Sequence, residues 1–104
     1  MSDIIKKQDN EFIIPVNITA QKGLSGTDSI ILGMIFTAIY KKQLFLLSNK
    51  RIAQYVGRTK SAVSKSLSKL KKLGHIREIE HDSPIYSKAR RLQMSNELYR
   101  ECLK

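Results

Sequence analysis

Eleven lysines and arginines fall between Asp28 and Glu78, and no aspartate or glutamate lies among them: Lys41, Lys42, Lys50, Arg51, Arg58, Lys60, Lys65, Lys69, Lys71, Lys72 and Arg77. Cations without a nearby counter-charge in sequence suit phosphate oxygens, because each phosphate neutralised releases condensed counterions. Within this stretch Lys60, Ser61, Ser64, Lys65 and Ser68 stand at short spacing. Hydroxyls can approach base edges or phosphates closely, and lysine can neutralise phosphate or donate to guanine. On a helical wheel Ser61, Lys65, Ser68 and Lys72 share one side, with Ser64 and Lys69 flanking. Val63, Leu67 and Leu70 form the opposite stripe. The chemistry on offer is non-covalent recognition of a polyanion. Lys60, Ser61, Ser64 and Lys65 are expected at base edges, with Ser68 at the margin. Thr59, Arg58, Ser48, Lys50, Lys69 and Lys72 are placed for phosphates.

Such a face needs a helix, and the helix needs a brace. Thr59 can cap a helix over residues 60–73, with Gly74 at its C′ position. Ser48 can cap a shorter helix over 49–56 whose inward groups are Ile52, Ala53 and Val56. Gly57 breaks it, in a turn that requires a residue tolerant of positive φ. A small residue is needed where the two helices touch, and Ala53 supplies it. Upstream, Ser25 reads as an N-cap with Asp28 three residues on, the acid suiting the positive end of the helix dipole. Ile30, Ile31, Met34, Ile35, Ala38 and Ile39 continue at helical spacing, and Leu32 and Phe36 add a second apolar face. That helix must be buried on more than one side, and Lys41 and Lys42 close it.

Around this centre, residues 12–16 read as a short β-rich run that Pro15 limits to an edge or end. Residues 44–47 form an apolar link with room for a small strand. Residues 76–80 and 91–94 read as two strands of a hairpin whose tip includes residues 81–84, 87 and 88. Leu92 and Met94 alternate inward. Ser95 or Asn96 starts a last helix carrying Leu98, Tyr99, Cys102 and Leu103. The expected organisation is a polar segment over 1–10, one domain over 11–94 and a C-terminal helix over 95–104.

The chain of 104 residues is long enough for one small domain. A net charge of +10 attracts polyanions. The single cysteine, Cys102, rules out a disulfide within the chain and fits a reducing compartment. The N-terminal residues lack the apolar run of a signal peptide, and residues 30–40 are too short to span a bilayer. A cytoplasmic protein without membrane contact is expected. Cys102, His75 and His81 form no metal constellation, residues 23–26 lack the spacing of a phosphate loop, and no Ser-His-acid set is suggested. No cofactor, metal or catalytic residue is expected, and the chain is not read as an enzyme.

Residues 52–76, IAQYVGRTKSAVSKSLSKLKKLGHI, resemble the core of winged helix-turn-helix proteins. Those families run from an "IA…hG" helix through "[ST]xxxVSxxLxxLxxxGhI" into a β-wing. With the preceding helix and the hairpin, the resemblance covers about residues 24–94. It implies an α+β fold, mainly helical with a small wing, and binding to double-stranded DNA. It also implies a wing that reaches the minor groove, with Lys88, Arg90 and Arg91 as its cations. Glu78, Glu80 and Asp82 are expected to turn away from that side. Arg58 departs from the pattern, since an apolar residue is usual after the turn glycine. It suggests a looser turn or a side chain moved outward to phosphate.

Small winged-helix regulators of the MarR and ArsR types imply a homodimer, with Leu98, Tyr99, Cys102 and Leu103 as candidate contacts. The run FIIPVNITAQKGLSGTDSIILGMIF resembles the opening of replication-initiator domains, and TubR-type centromere binders are similar in scale. A plasmid or phage DNA-maintenance protein is therefore the alternative to a transcriptional regulator. An RNA-binding or protein-adaptor winged helix is a third reading. The absence of aromatics on the recognition face argues against single-stranded RNA.

Overall fold

The computed structural model describes residues 12–19, 21, 23–81 and 89–103. Its elements run α1 (Val16–Thr19), α2 (Gly26–Tyr40), α3 (Asn49–Val56), α4 (Lys60–Lys72), β1 (Ile76–His81), β2 (Ala89–Met94) and α5 (Asn96–Cys102). This is the winged helix-turn-helix fold, mainly α with a two-stranded antiparallel wing. Segment 1–10, Lys88 and the hairpin tip over 82–88 lie outside the described residues.

Helix α2 is the centre, as its all-round apolar sequence requires. Seven consecutive residues, Ile31 to Thr37, are buried. Ser25 and Asp28 close a full capping box: the Ser25 hydroxyl accepts from the Asp28 N–H, and the Asp28 carboxylate accepts from the Ser25 N–H. Around α2 pack Ile18, Ile52, Val63, Leu67, Leu70, Ile76, Leu92, Met94 and Leu98, giving one continuous apolar cluster. No described helix is long and apolar enough to cross a membrane.

The strand expected over 12–16 is not found. Residues 12–15 have no regular structure and lead into the single-turn helix α1. Proline is tolerated at a helix start, where its missing N–H has no partner to lose. The Pro15 carbonyl takes the Ile18 N–H at 2.9 Å, and Ile18 is driven fully into the core. Residues 12–15 instead form a strap across α2. The Thr37 hydroxyl accepts from the Ile13 N–H at 2.8 Å and donates to the Gly33 carbonyl at 2.7 Å. Gly33 makes the approach possible, since a Cβ there would lie 2.7 Å from Ile14 Cγ1.

The wing strands are each longer than expected. They pair in register from Ile76 opposite Met94 to His81 opposite Ala89. The link over 44–47 contributes one bridge, Phe45 to Leu92. Helix α4 ends one residue early, with Leu73 as its cap and Gly74 at φ 80°.

Candidate nucleic-acid interface

The site begins at two hydroxyl caps. Ser48 accepts from the Arg51 N–H and starts α3; Thr59 accepts from the Ala62 N–H and starts α4. Between them Gly57 adopts the left-handed conformation at φ 68°, and the Ala53 carbonyl takes both the Gly57 and the Arg58 N–H. The chain thus reverses from brace helix to recognition helix in three residues, with Ala53 buried in the core.

Helix α4 carries no acid, and Lys69, Lys71 and Lys72 fill its last turn. Val63, Ser66, Leu67 and Leu70 are buried, while Lys60, Ser61, Ser64, Lys65, Ser68 and Lys72 are exposed. None of these six side chains has a hydrogen bond or ion pair to a described residue. Ser48, Lys50, Arg58 and Thr59 are exposed beside them. Arg51, one of the eleven cations but not among the expected site residues, also lies on this side. It is exposed at the first turn of α3, three residues beyond its cap, and that spacing was the available signal.

Three of the expected cations have partners. Lys69 Nζ lies 2.7 Å from the buried carboxylate of Asp28, tying α4 to the start of α2. Burial by itself pushes the Asp28 carboxyl up. The bond from Lys69, with those from Ser66 and Ser25, outweighs that effect and brings it down to about 2. Arg58 donates through Nε to Thr27 Oγ1 at 3.3 Å and through Nη1 to the Gly57 carbonyl at 3.3 Å, and stays exposed. The turn accommodates it by turning it outward rather than packing it.

Arg90 is the third. Its Nη1 donates to Asn49 Oδ1 at 2.6 Å and its Nη2 to the Leu47 carbonyl at 2.6 Å. Burial shifts the guanidinium downward from its ordinary value, with Glu78 opposing. Among the described side chains, the expected segregation of acids from cations on the wing fails for Glu78 and Arg90. Glu78 pairs with Leu92, and residues 90 and 92 share a strand face, so Arg90 stands on the same face as Glu78. Glu78 is itself paired to Lys71 at 2.7 Å, and that ammonium holds its carboxyl below the usual range. Arg91 points to the other face, half-buried. Among the described residues no group of three His, Cys, Asp or Glu could hold a metal ion.

The helix pair, its caps and its wing define a winged helix-turn-helix fold, and solved structures share it. A point mutant of Lactococcus lactis ZitR superposes with a TM-score of 0.59 at 18% identity, over 81% of this chain and 51% of its own. S. aureus MepR, bound to ethidium bromide, gives 0.58 at 15% identity, over 85% of this chain and 63% of its own. An N-terminal domain of a DNA-binding protein gives 0.58 at 14% identity, over 92% of this chain and 85% of its own. The chain therefore spans about half the length of ZitR and matches the last neighbour along most of its length. No protein-family model matches the chain, and no curated protein resembles it in sequence.

Proposed function

We propose that this protein binds double-stranded DNA sequence-specifically and acts as a small dimeric transcriptional regulator. The supporting observation is the exposed, acid-free face of α4, on which Lys60, Ser61, Ser64, Lys65, Ser68 and Lys72 have no described partner. In this reading Lys60, Ser61, Ser64 and Lys65 meet base edges in the major groove, with Ser68 at the margin. Ser48, Lys50, Arg58, Thr59 and Lys72 meet phosphates, and Arg91 with Lys88 serves the wing. Both cap hydroxyls already accept from their own helices, so each has its proton left to donate to a phosphate oxygen. The named neighbours include an adhesin competence repressor, which agrees with a regulatory role.

Dimerisation is supported by an apolar groove between the strap, the end of α2 and α5. Val16 is 77% exposed there, Tyr40 53% and Leu103 51%. Large apolar groups this exposed and this close together mark a contact surface. A second copy seated there gives two recognition helices and a two-fold-related site.

A DNA-maintenance protein that coats tandem repeats is the alternative. The neighbour matched over 85% of its length, an N-terminal domain of a DNA-binding protein, is compatible with either role. Footprinting on the DNA flanking its gene, at two salt concentrations with random duplex as competitor, separates the readings. One short palindromic footprint supports the regulator, and a regularly spaced ladder supports the maintenance protein. Protection no better than on random duplex counts against both and leaves a non-specific DNA binder or an RNA or protein partner.

A further inference from the structure

Arg90 is a cation on the wing of a basic protein, yet its guanidinium is turned inward. Its two donors grip Leu47 O and Asn49 Oδ1, the residues on either side of the α3 cap, Ser48. Two residues further along β2, the Leu92 N–H donates to the Phe45 carbonyl at 3.1 Å. The link before α3 is therefore fastened to β2 at two points, one through backbone and one through the Arg90 side chain.

We propose that Arg90 is a positioning residue that locks the wing to the start of α3, so that wing and recognition helix meet DNA as one rigid unit, and that it makes no phosphate contact itself. The proposal rests on the DNA-binding reading above for its functional half.

Three physical facts carry it. A two-stranded sheet is marginal alone, so a wing of only β1 and β2 needs an outside support to hold a direction. Arginine offers a planar fork that holds two acceptors in one geometry, which a lysine ammonium cannot reproduce. Both acceptors are neutral, so the guanidinium keeps its charge and still adds to the positive field while its donors are occupied. Arg91, the next residue, faces the other way and remains the described wing cation available to phosphate.

The test uses the full chain with Arg90→Lys, which keeps the charge and loses the fork, alongside Arg90→Gln and Asn49→Ala. Amide hydrogen exchange without DNA is the first readout. Arg90→Lys should raise exchange at Leu92 and along the β1–β2 ladder at least tenfold, with Asn49→Ala giving a smaller rise. Leu67 and Leu70 in α4 should keep their protection, which shows that the variant folds. Unchanged exchange at Leu92 would overturn the proposal.

Hydroxyl-radical footprinting on a duplex selected from a random pool is the second readout. Arg90→Lys should retain protection at the centre, lose it at the flanks, and leave the salt dependence unchanged. If Arg90→Lys binds and protects like wild type while Arg90→Gln lowers the salt slope by about one, Arg90 is a phosphate ligand and the proposal fails. If wild type protects no DNA, the DNA-binding reading fails, and the exchange result alone upholds or refutes the lock.

Discussion

Replacing Asp28 with asparagine should cost this protein about 2 kcal/mol at neutral pH, and the cost should vanish in acid. Asp28 is 2% exposed, and the bonds its carboxyl accepts from Lys69, Ser66 and Ser25 outweigh burial and bring it from 3.8 to about 2. Each tenfold change in a proton equilibrium is worth about 1.4 kcal/mol, so this fall corresponds to about 2 kcal/mol of stability. Because the folded-state value lies below the unfolded one, that stability is fully present above pH 3.8 and is lost as pH falls toward 2. Asparagine keeps an oxygen for the Ser25 N–H, and Lys69, 42% exposed, can return its ammonium to water. The loss is therefore that of the carboxylate's charge, which Lys69, Ser66 and Ser25 together stabilise, while the cap keeps an acceptor. Urea denaturation of wild type and Asp28→Asn at intervals from pH 7 to pH 2 measures it. The two stability curves should lie about 2 kcal/mol apart at pH 7 and converge in acid. Curves that run parallel from pH 6 to pH 2 would refute the reasoning, since the asparagine would then be removing packing and not charge.

Gly33→Ala places a methyl 2.7 Å from Ile14 Cγ1 and 3.2 Å from the Ile13 carbonyl. Overpacking of about 1–3 kcal/mol should exceed the roughly 1 kcal/mol that alanine gains in a helix, and the Ile13 amide should lose exchange protection. Gly57→Ala meets no atom within 4 Å but must hold φ at 68°, so denaturation should report a loss of roughly 1–2 kcal/mol from backbone strain alone. On DNA, Lys65→Ala should reduce discrimination between selected and random duplex by about 1–3 kcal/mol. Arg91→Ala should weaken binding to every sequence and lower the salt slope by about one, both read by competition titration at several salt concentrations.

Local chemistry was legible in the sequence, and distant pairing was not. Ser25, Ser48, Thr59 and Ser95 each announce a helix, because a hydroxyl just before an apolar period has one favourable use, and all four serve as N-caps. Gly57 and Gly74 mark the turn and the helix end for the same local reason. The run from Ile30 to Ile39 demanded a central helix, and Gly26–Tyr40 is one. Residues 12–16 misled because β-branched composition describes a half-buried surface, and a strap lying on α2 is such a surface without a partner strand. The pairs Asp28–Lys69 and Arg90–Asn49 lie 41 residues apart in the chain, and nothing in the spacing announces either. As a result, an acid chosen as the edge of an acid-free stretch is the partner of a lysine inside it. A wing arginine assigned to the groove is likewise turned toward the link.

The Lys69–Asp28 tie, with Val63, Ser66, Leu67 and Leu70 on the buried side, fixes the rotation of α4 about its own axis. Of the exposed residues of α4, Lys60, Ser61, Ser64, Lys65, Ser68 and Lys72 support neither the core nor the tie. A substitution at Ser61, Ser64, Lys65 or Ser68 changes the face that the proposed reading sets against DNA while leaving intact what holds the helix. If the proposed reading holds, that face can change its target by exchanging a few side chains on an unchanged frame, without the fold being lost on the way.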